Sequence, residues 1–273
     1  MNYHSDKWIM DRVREHYEEA LTLFPQDKIL GVFYQGSGNY NLDYIGSDVD
    51  TKCIILPSLS DICLNKDAVS YTHVRANNEH IDFKDLRKIT GDFKKQNINF
   101  LEILFTKYRI VNPDYSHLFQ PMFDNAEAIA RYDNYKFVRA TAGMSMEKHK
   151  ALTLDRPSQH DEIVKYGWAT KQLHHILRLR TFMIRWTNNA SFAECLIDPF
   201  TDYLVAVKQN GHSMFDLDAA KEVAKLIDEE TNAIKETYIL SNEHIIDEDV
   251  GKLIDDVVVN IIRESLKKEI EVA

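Results

Sequence analysis

The chain is poor in the residues that build a disulfide scaffold, a flexible repeat or a membrane protein. Its three cysteines, Cys53, Cys63 and Cys195, are odd in number and form no Cys-x-x-Cys pair. That argues against a disulfide framework and a structural zinc site, and points to a reducing compartment. Only 9 glycines and 6 prolines occur in 273 residues, which excludes a disordered or collagen-like chain and favours long helices. No apolar run approaches the roughly 18 residues that a membrane-spanning helix needs. The opening MNYHSDKWIM lacks the pattern of a signal peptide. The expectation is a soluble, cytoplasmic protein with no membrane partner.

Positive charge is also in the minority. Lys and Arg number 33 against 43 Asp and Glu, for a formal charge of -10. A protein that holds nucleic acid by bulk electrostatics leans the other way, although an acidic total leaves room for a local basic groove. The 11 histidines contain no HExxH spacing, which argues against a zinc hydrolase. GxxxxGK[ST] and the kinase loop, lysine and DFG set are missing as well.

The residues present divide the chain into two parts of different character. Ile9, Val13, Tyr17, Ala20, Leu21 and Phe24 recur at helical spacing across residues 5–24. Ile29 to Tyr34 and Thr51 to Leu56 are short apolar runs, stopped by glycine and proline respectively, and read as strands. Val69 to Val74 and His80 to Lys84 flank the polar stretch from Arg75 to Glu79 and read as a hairpin. Helical patterns cover Asp85 to about Gln96 and Asn99 to Thr106, with Asn99 as a helix cap ahead of Phe100, and Tyr108 to Val111 reads as a last strand. From about residue 123 the pattern is helical, over 123–131, 134–152, 160–187, 199–208, 216–239 and 244–269. The expectation is an α+β chain, with a small mixed-sheet catalytic domain over 1–122 and a helical domain over 123–273.

The segment from Gly36 to Asp50, GSGNYNLDYIGSDVD, carries the chemistry. A strand delivers the chain to Gly36 and Ser37, small residues that let backbone N–H groups approach an anionic ligand. Asp48 and Asp50 follow just ahead of the next apolar run. At a period of two, both carboxylates point to the same side of an extended chain. Paired hard oxygen ligands suit Mg²⁺, which takes one or two carboxylates together with substrate phosphates. A third acid is expected on a neighbouring strand. Asp82 is the candidate, because alternation puts Ile81 and Phe83 on the opposite face; Glu79 and Asp85 lie close by.

Gly-Ser, about ten residues, then Asp-x-Asp before a strand resembles the signature of the DNA polymerase β-like nucleotidyltransferase superfamily. More narrowly, GSGNYNLDYIGSDVDTK is similar to a group of predicted bacterial and phage nucleotidyltransferases. Two further segments share that resemblance. Leu86 to Ile89 with Asn97 to Phe105 matches the group's segment after the third acid, with Ile98 where proline is common. Lys171, His175, Arg178 and Leu179 match its Lys-x-x-x-His-x-x-Arg-Leu helix. The resemblance covers roughly residues 29–182 and leaves the C-terminal third untouched.

It implies a polymerase-β-like palm followed by helices that complete a nucleotide and acceptor cleft. Asp48, Asp50 and Asp82 would be the metal ligands and catalytic acids of a two-metal Mg²⁺ site, with Mn²⁺ as a substitute. Gly36 and Ser37 would contact the nucleotide phosphates. Lys171, His175 and Arg178, a stripe at i, i+4 and i+7, would hold the triphosphate or an acidic acceptor. The implied reaction moves an NMP from an NTP, with ATP as the default donor, to an acceptor hydroxyl and releases pyrophosphate. The acceptor stays open between an RNA or tRNA 3′ end, as in RNA repair, a protein and a small molecule. The oligomeric state is equally open, and a catalytically silent nucleotide-binding regulator is the competing class.

Overall fold

The computed structural model describes residues His4 to Val272. In chain order, α1 (Asp6–Leu23) leads into β1 (Ile29–Gln35), and a 3-10 turn over Ser37–Tyr40 precedes β2 (Asp50–Ile55). A short α2 (Leu59–Cys63) precedes the hairpin of β3 (Ser70–Val74) and β4 (His80–Asp85). Then come α3 (Leu86–Lys94), α4 (Ile98–Leu101), β5 (Arg109–Val111), α5 (Pro113–Asp124) and α6 (Ala126–Ala130). The rest is helical: α7 (Asn134–Ala151), α8 (His160–Tyr166), α9 (Thr170–Thr187), α10 (Phe192–Leu196), α11 (Thr201–Met214), α12 (Leu217–Ser241) and α13 (Glu248–Val272). The protein is thus α+β, a five-stranded mixed sheet with a helical C-terminal part. Among the described residues no helix is long and apolar enough to cross a membrane.

Two compact units form. One takes in the chain through Asn39, Asp43–Tyr132 and everything from Ile246 on; the other takes in Tyr40–Leu42 and Asp133–Ile245. The first unit therefore holds the sheet and also the C-terminal helix α13, and the motif loop gives three residues to the second.

In the first unit the strand order is β3-β4-β2-β1-β5, with β2 and β4 parallel and every other pair antiparallel. Alternation sorts the two faces. Ile9, Val13 and Ala20 of α1 pack against Val32 and Tyr34 of β1, Cys53 and Ile55 of β2, and Ile81 and Phe83 of β4. Asp50 and Lys52 of β2 and His80 and Asp82 of β4 occupy the alternate positions and so take the other face. In the second unit Trp168, Leu173, Ile176, Val207, Ala220, Ala224 and Ile227 form a core shared by α9, α11 and α12.

Several helix limits differ from the sequence reading, each for a local reason. The pattern over 160–187 is two helices, because Gly167 adopts a left-handed φ of 78° and its N–H closes α8 on the Ile163 carbonyl at 2.8 Å. α5 begins ten residues before the expected helix at 123. Asn112 caps it, accepting from the Asp114 amide at 3.0 Å, and Pro113 fills the first turn, where its missing N–H costs nothing. The α4 cap is Asn97, which accepts from the Asn99 amide at 2.9 Å, in place of Asn99 itself. α11 runs past the expected end at 208, with its distortion confined to Asn210. Finally, α2 and α10 are single turns with reciprocal capping boxes, Ser58 with Asp61 and Ser191 with Glu194.

Candidate active site

The site is built where β1 and β2 meet. Gln35, the last residue of β1, pairs with Asp50, the first of β2. This register brings the Gly36-Ser37 turn and the Asp-x-Asp segment to one end of the sheet, although twelve residues of chain separate Ser37 from Asp50. Gly36 has φ 118°, a conformation that L side chains rarely adopt. Beneath the turn stands Tyr34, buried and facing α1. Its hydroxyl accepts from the Gly38 amide at 2.8 Å, and its carbonyl accepts from Asn39 Nδ2 at 3.1 Å. A Cβ on Gly38 would stand 2.8 Å from that hydroxyl, so glycine is required for the close approach. Burial pushes the Tyr34 phenol well above its ordinary value, which keeps it neutral and able to brace the turn.

Asp48 is exposed, Val49 is buried and Asp50 is half-buried. Asp50 Oδ1 accepts from the His80 amide at 2.9 Å, which ties the first residue of β2 to the first of β4. Asp82 lies two residues further along β4, opposite Lys52 in the parallel ladder and on the face that carries Asp50. The two acids therefore occupy neighbouring strands on one face. Asp82 is engaged: Lys52 Nζ donates to Oδ2 at 2.7 Å, and Lys84 Nζ stands 3.7 Å from Oδ1. Lys52 is buried and packs over the Phe100 ring at 5.3 Å. Burial pushes its ammonium below the ordinary value, and Asp82 opposes that shift.

The entry to β2 is held from the other face. Glu79, 5% exposed, accepts from the Val49 amide at 3.2 Å, His16 Nε2 at 3.0 Å, Arg75 Nη1 at 2.8 Å and Arg12 Nε at 3.3 Å. Burial works to raise this carboxyl, but the bonds from Arg12 and His16 dominate and hold it at about 2. His16 Nδ1 lies 2.9 Å from the Thr51 hydroxyl. With Nε2–H donating to Glu79, Nδ1 accepts from Thr51, an assignment made from the network. Burial keeps the imidazole below its ordinary value and hence neutral. A cavity of about 470 Å³ adjoins this corner, with Asp48, Trp8, Arg12, Ser47 and Glu79 among its lining.

The α9 stripe falls in the second unit and is not uniformly exposed. Lys171 is open to solvent, His175 is half-buried and Arg178 is 5% exposed. The Arg178 guanidinium stacks at 4.0 Å on the ring of Tyr40, one of the three motif-loop residues of this unit. Burial, with His174, Arg178 and Lys171 adding to it, pushes His175 well below its usual value, so it brings no positive charge at neutral pH. His174 donates to the Leu204 carbonyl at 2.9 Å, and burial holds it at about 3.

Among the described residues no set of three His, Cys, Asp or Glu side chains is gathered as a ready metal site. Asp48 and Asp50 offer hard oxygen donors suited to a divalent cation. Asp82, taken up by Lys52, does not complete a triad as it stands. Sequence reasoning passed over Tyr34, Lys52 and His16, and named Glu79 only as a neighbour of the third acid. Only His16 left a signal, as a polar residue inside the apolar stripe of Ile9, Val13 and Ala20 on α1. No family model matches the chain, and no curated protein matches it.

Proposed function

We propose that this chain is a metal-dependent nucleotidyltransferase with a polymerase-β-like palm, moving an NMP from an NTP to an acceptor hydroxyl. The observation that carries the reading is the Gln35–Asp50 register, which brings a Gly-Ser turn and an Asp-x-Asp pair to one sheet end. Asp82 on the same face of the adjacent parallel strand supports it. In this reading the Gly36–Ser37 turn receives the phosphates, while Asp48, Asp50 and Asp82 are the acids of the reaction. Lys171, His175 and Arg178 belong to it as nucleotide contacts by resemblance alone.

The acceptor oxygen bonds to the α-phosphorus as the bond from that phosphorus to the bridging oxygen breaks. Pyrophosphate leaves with the electron pair, and the hydroxyl proton passes to a carboxylate of the site or to solvent. Bound Mg²⁺ or Mn²⁺ supplies activation of the attacking oxygen and neutralises charge on the leaving group. The protein's own part is positioning and fixed electrostatics.

The test supplies each NTP, labelled at the α-phosphate, with Mg²⁺ or Mn²⁺ and separate pools of RNA, protein extract and metabolites. Label entering one pool, and lost in the Asp48→Ala/Asp50→Ala double variant, is the expected result and identifies the acceptor class. Nucleotide binding without transfer to any pool would favour a silent nucleotide-binding regulator. Absence of both nucleotide and metal binding would overturn the reading of the Gly36–Asp50 segment.

A further inference from the structure

The two edges of the sheet differ in how they are protected. β5, at one edge, is three residues long and half-buried throughout. It begins with Arg109, whose guanidinium stacks on the Phe123 ring at 3.7 Å. β3, at the other edge, is five residues long and exposed at every position except the half-buried His73. Its sequence, SYTHV, contains no Lys, Arg, Asp, Glu or Pro, and its ladder with β4 runs without a bulge. Short length, charge, proline and bulges are the devices that stop an edge strand from pairing with another chain, and β3 has none of them beyond its modest length.

The ladder fixes which backbone groups of β3 are left over. The Arg75 amide donates to the Glu79 carbonyl at 2.8 Å, and the Asp85 amide donates to the Val69 carbonyl at 2.9 Å. Antiparallel pairing alternates, so the odd-numbered residues of β3 bond to β4. The N–H and C=O groups of Ser70, Thr72 and Val74 therefore point outward, and among the described residues nothing bonds to them. Apolar side chains accompany them: Val74 is 56% exposed, and Tyr71 is 44% exposed although its ring stacks on Phe83 at 5.2 Å.

We propose that β3 is a dimerisation edge, on which a second copy of this chain pairs its own β3 antiparallel about a two-fold axis at Thr72. In that register Ser70 faces Val74 of the second copy, Thr72 faces its equivalent and Val74 faces Ser70. Each pair exchanges both of its N–H···O bonds, so every outward group is satisfied. An axis at Tyr71 or His73 would instead place one outward residue of each strand opposite a residue beyond the other strand's end. The side chains favour a second copy over an unrelated strand. Tyr71 comes opposite His73 of the second copy, twice by symmetry, in the closer non-hydrogen-bonded pairs where aromatic contacts stabilise. No like charges are brought face to face. On the α1 side, His73 and Arg75 are each held by Glu19 at 2.6 Å. On the other side, Lys84 donates to Ser70 Oγ at 2.8 Å and meets the neutral Val74 of the second copy. The inference stands on the sheet alone and goes beyond the proposed activity, on which it does not depend.

The experiment follows the full-length chain by sedimentation equilibrium from about 1 µM to about 1 mM, which brackets weak and moderate affinities. Amide hydrogen exchange is measured at the upper concentration. Wild type is expected to dimerise, with the Ser70, Thr72 and Val74 amides exchanging as slowly as those of Tyr71 and His73, which bond to β4. Thr72→Pro removes the outward N–H at the axis and no bond to β4, a place where an edge strand accepts proline. It is expected to be monomeric, with fast exchange at Ser70 and Val74 and an unchanged circular dichroism spectrum. Val74→Lys leaves the backbone intact and brings an ammonium beside Lys84 of the second copy. It is expected to weaken the dimer at least about tenfold, and it carries the test if Thr72→Pro fails to fold. A wild type that stays monomeric throughout, a dimer that either folded variant leaves intact, or a dimer with fast exchange at Thr72 would each overturn the proposal.

Discussion

The Val49 amide donates to the Glu79 carboxylate at 3.2 Å, and through that bond the residue between Asp48 and Asp50 is tied to Arg12, His16 and Arg75. Glu79 thus acts on the candidate acids from the far face of the sheet, by fixing the backbone between them.

Replacing Glu79 with Gln keeps the side-chain shape but leaves Arg12 and Arg75 with no carboxylate at the centre of the cluster. Removing one partner of a buried ion pair costs about 3–5 kcal/mol. Arg12 and Arg75 keep contacts to Glu15 and Glu19, which moves the expectation to the lower end, about 3 kcal/mol. Urea denaturation monitored by circular dichroism measures it. A loss below about 1 kcal/mol would mean that the cluster is not a structural anchor.

Acid should weaken the fold in two stages. Glu79 in the folded protein titrates at about 2, below the roughly 4.3 of an unfolded glutamate. Its contribution is therefore complete above the unfolded value and is lost as pH falls from there towards 2. His16, held below its ordinary value, acts in the same direction but earlier. The unfolded imidazole takes up its proton first, and stability begins to fall as pH drops through about 6.5. The denaturation midpoint should decline steadily on acidification from neutral pH. In Glu79→Gln the limb below about pH 4.5 should be flatter, and an unchanged limb there would contradict the assignment.

Gly36→Ala tests the turn. A φ of 118° lies outside the range an alanine adopts without strain, and the cost is about 1–3 kcal/mol. No atom lies closer than 3.8 Å to the added Cβ, so the loss comes from backbone strain and not from a clash. Thermal unfolding should show a modest drop with the fold intact. Under the proposed function, NTP binding measured by calorimetry should weaken as well, because the turn that receives the phosphates is displaced.

Tyr40 and Arg178 should be energetically coupled. The guanidinium lies 4.0 Å from the ring centroid with little access to water, and such desolvated pairs reach about 2 kcal/mol. Tyr40→Phe should preserve the coupling and Tyr40→Leu should abolish it. A double-mutant cycle with Arg178→Met provides the number, and a coupling near zero would remove the stack as a determinant of the loop position.

Much of the local architecture is legible in the residues themselves. The stripe of Ile9, Val13 and Ala20 predicts α1, and alternation in Ile81, Asp82 and Phe83 predicts which side of β4 faces the core. Both are short-range statements, in which the period alone sorts a side chain to one face. The errors arise where one residue's backbone outweighs the period. Gly167 divides an apolar pattern that runs on across it, and Asn112 with Pro113 starts a helix where the proline reads as the end of a strand.

The sequence by itself determined that a glycine turn and two acids follow a buried strand, and that a third acid alternates with core residues. Only the tertiary structure decided that β4 pairs parallel to β2 with Asp82 opposite Lys52, and that Glu79 gathers cations from α1 and its own hairpin turn. The physical reason is sequence distance. Lys52 and Asp82 are 30 residues apart and Arg12 and Glu79 are 67 apart. Contacts of that range follow from strand pairing and from the need to satisfy buried charge, neither of which leaves a periodic mark along the chain.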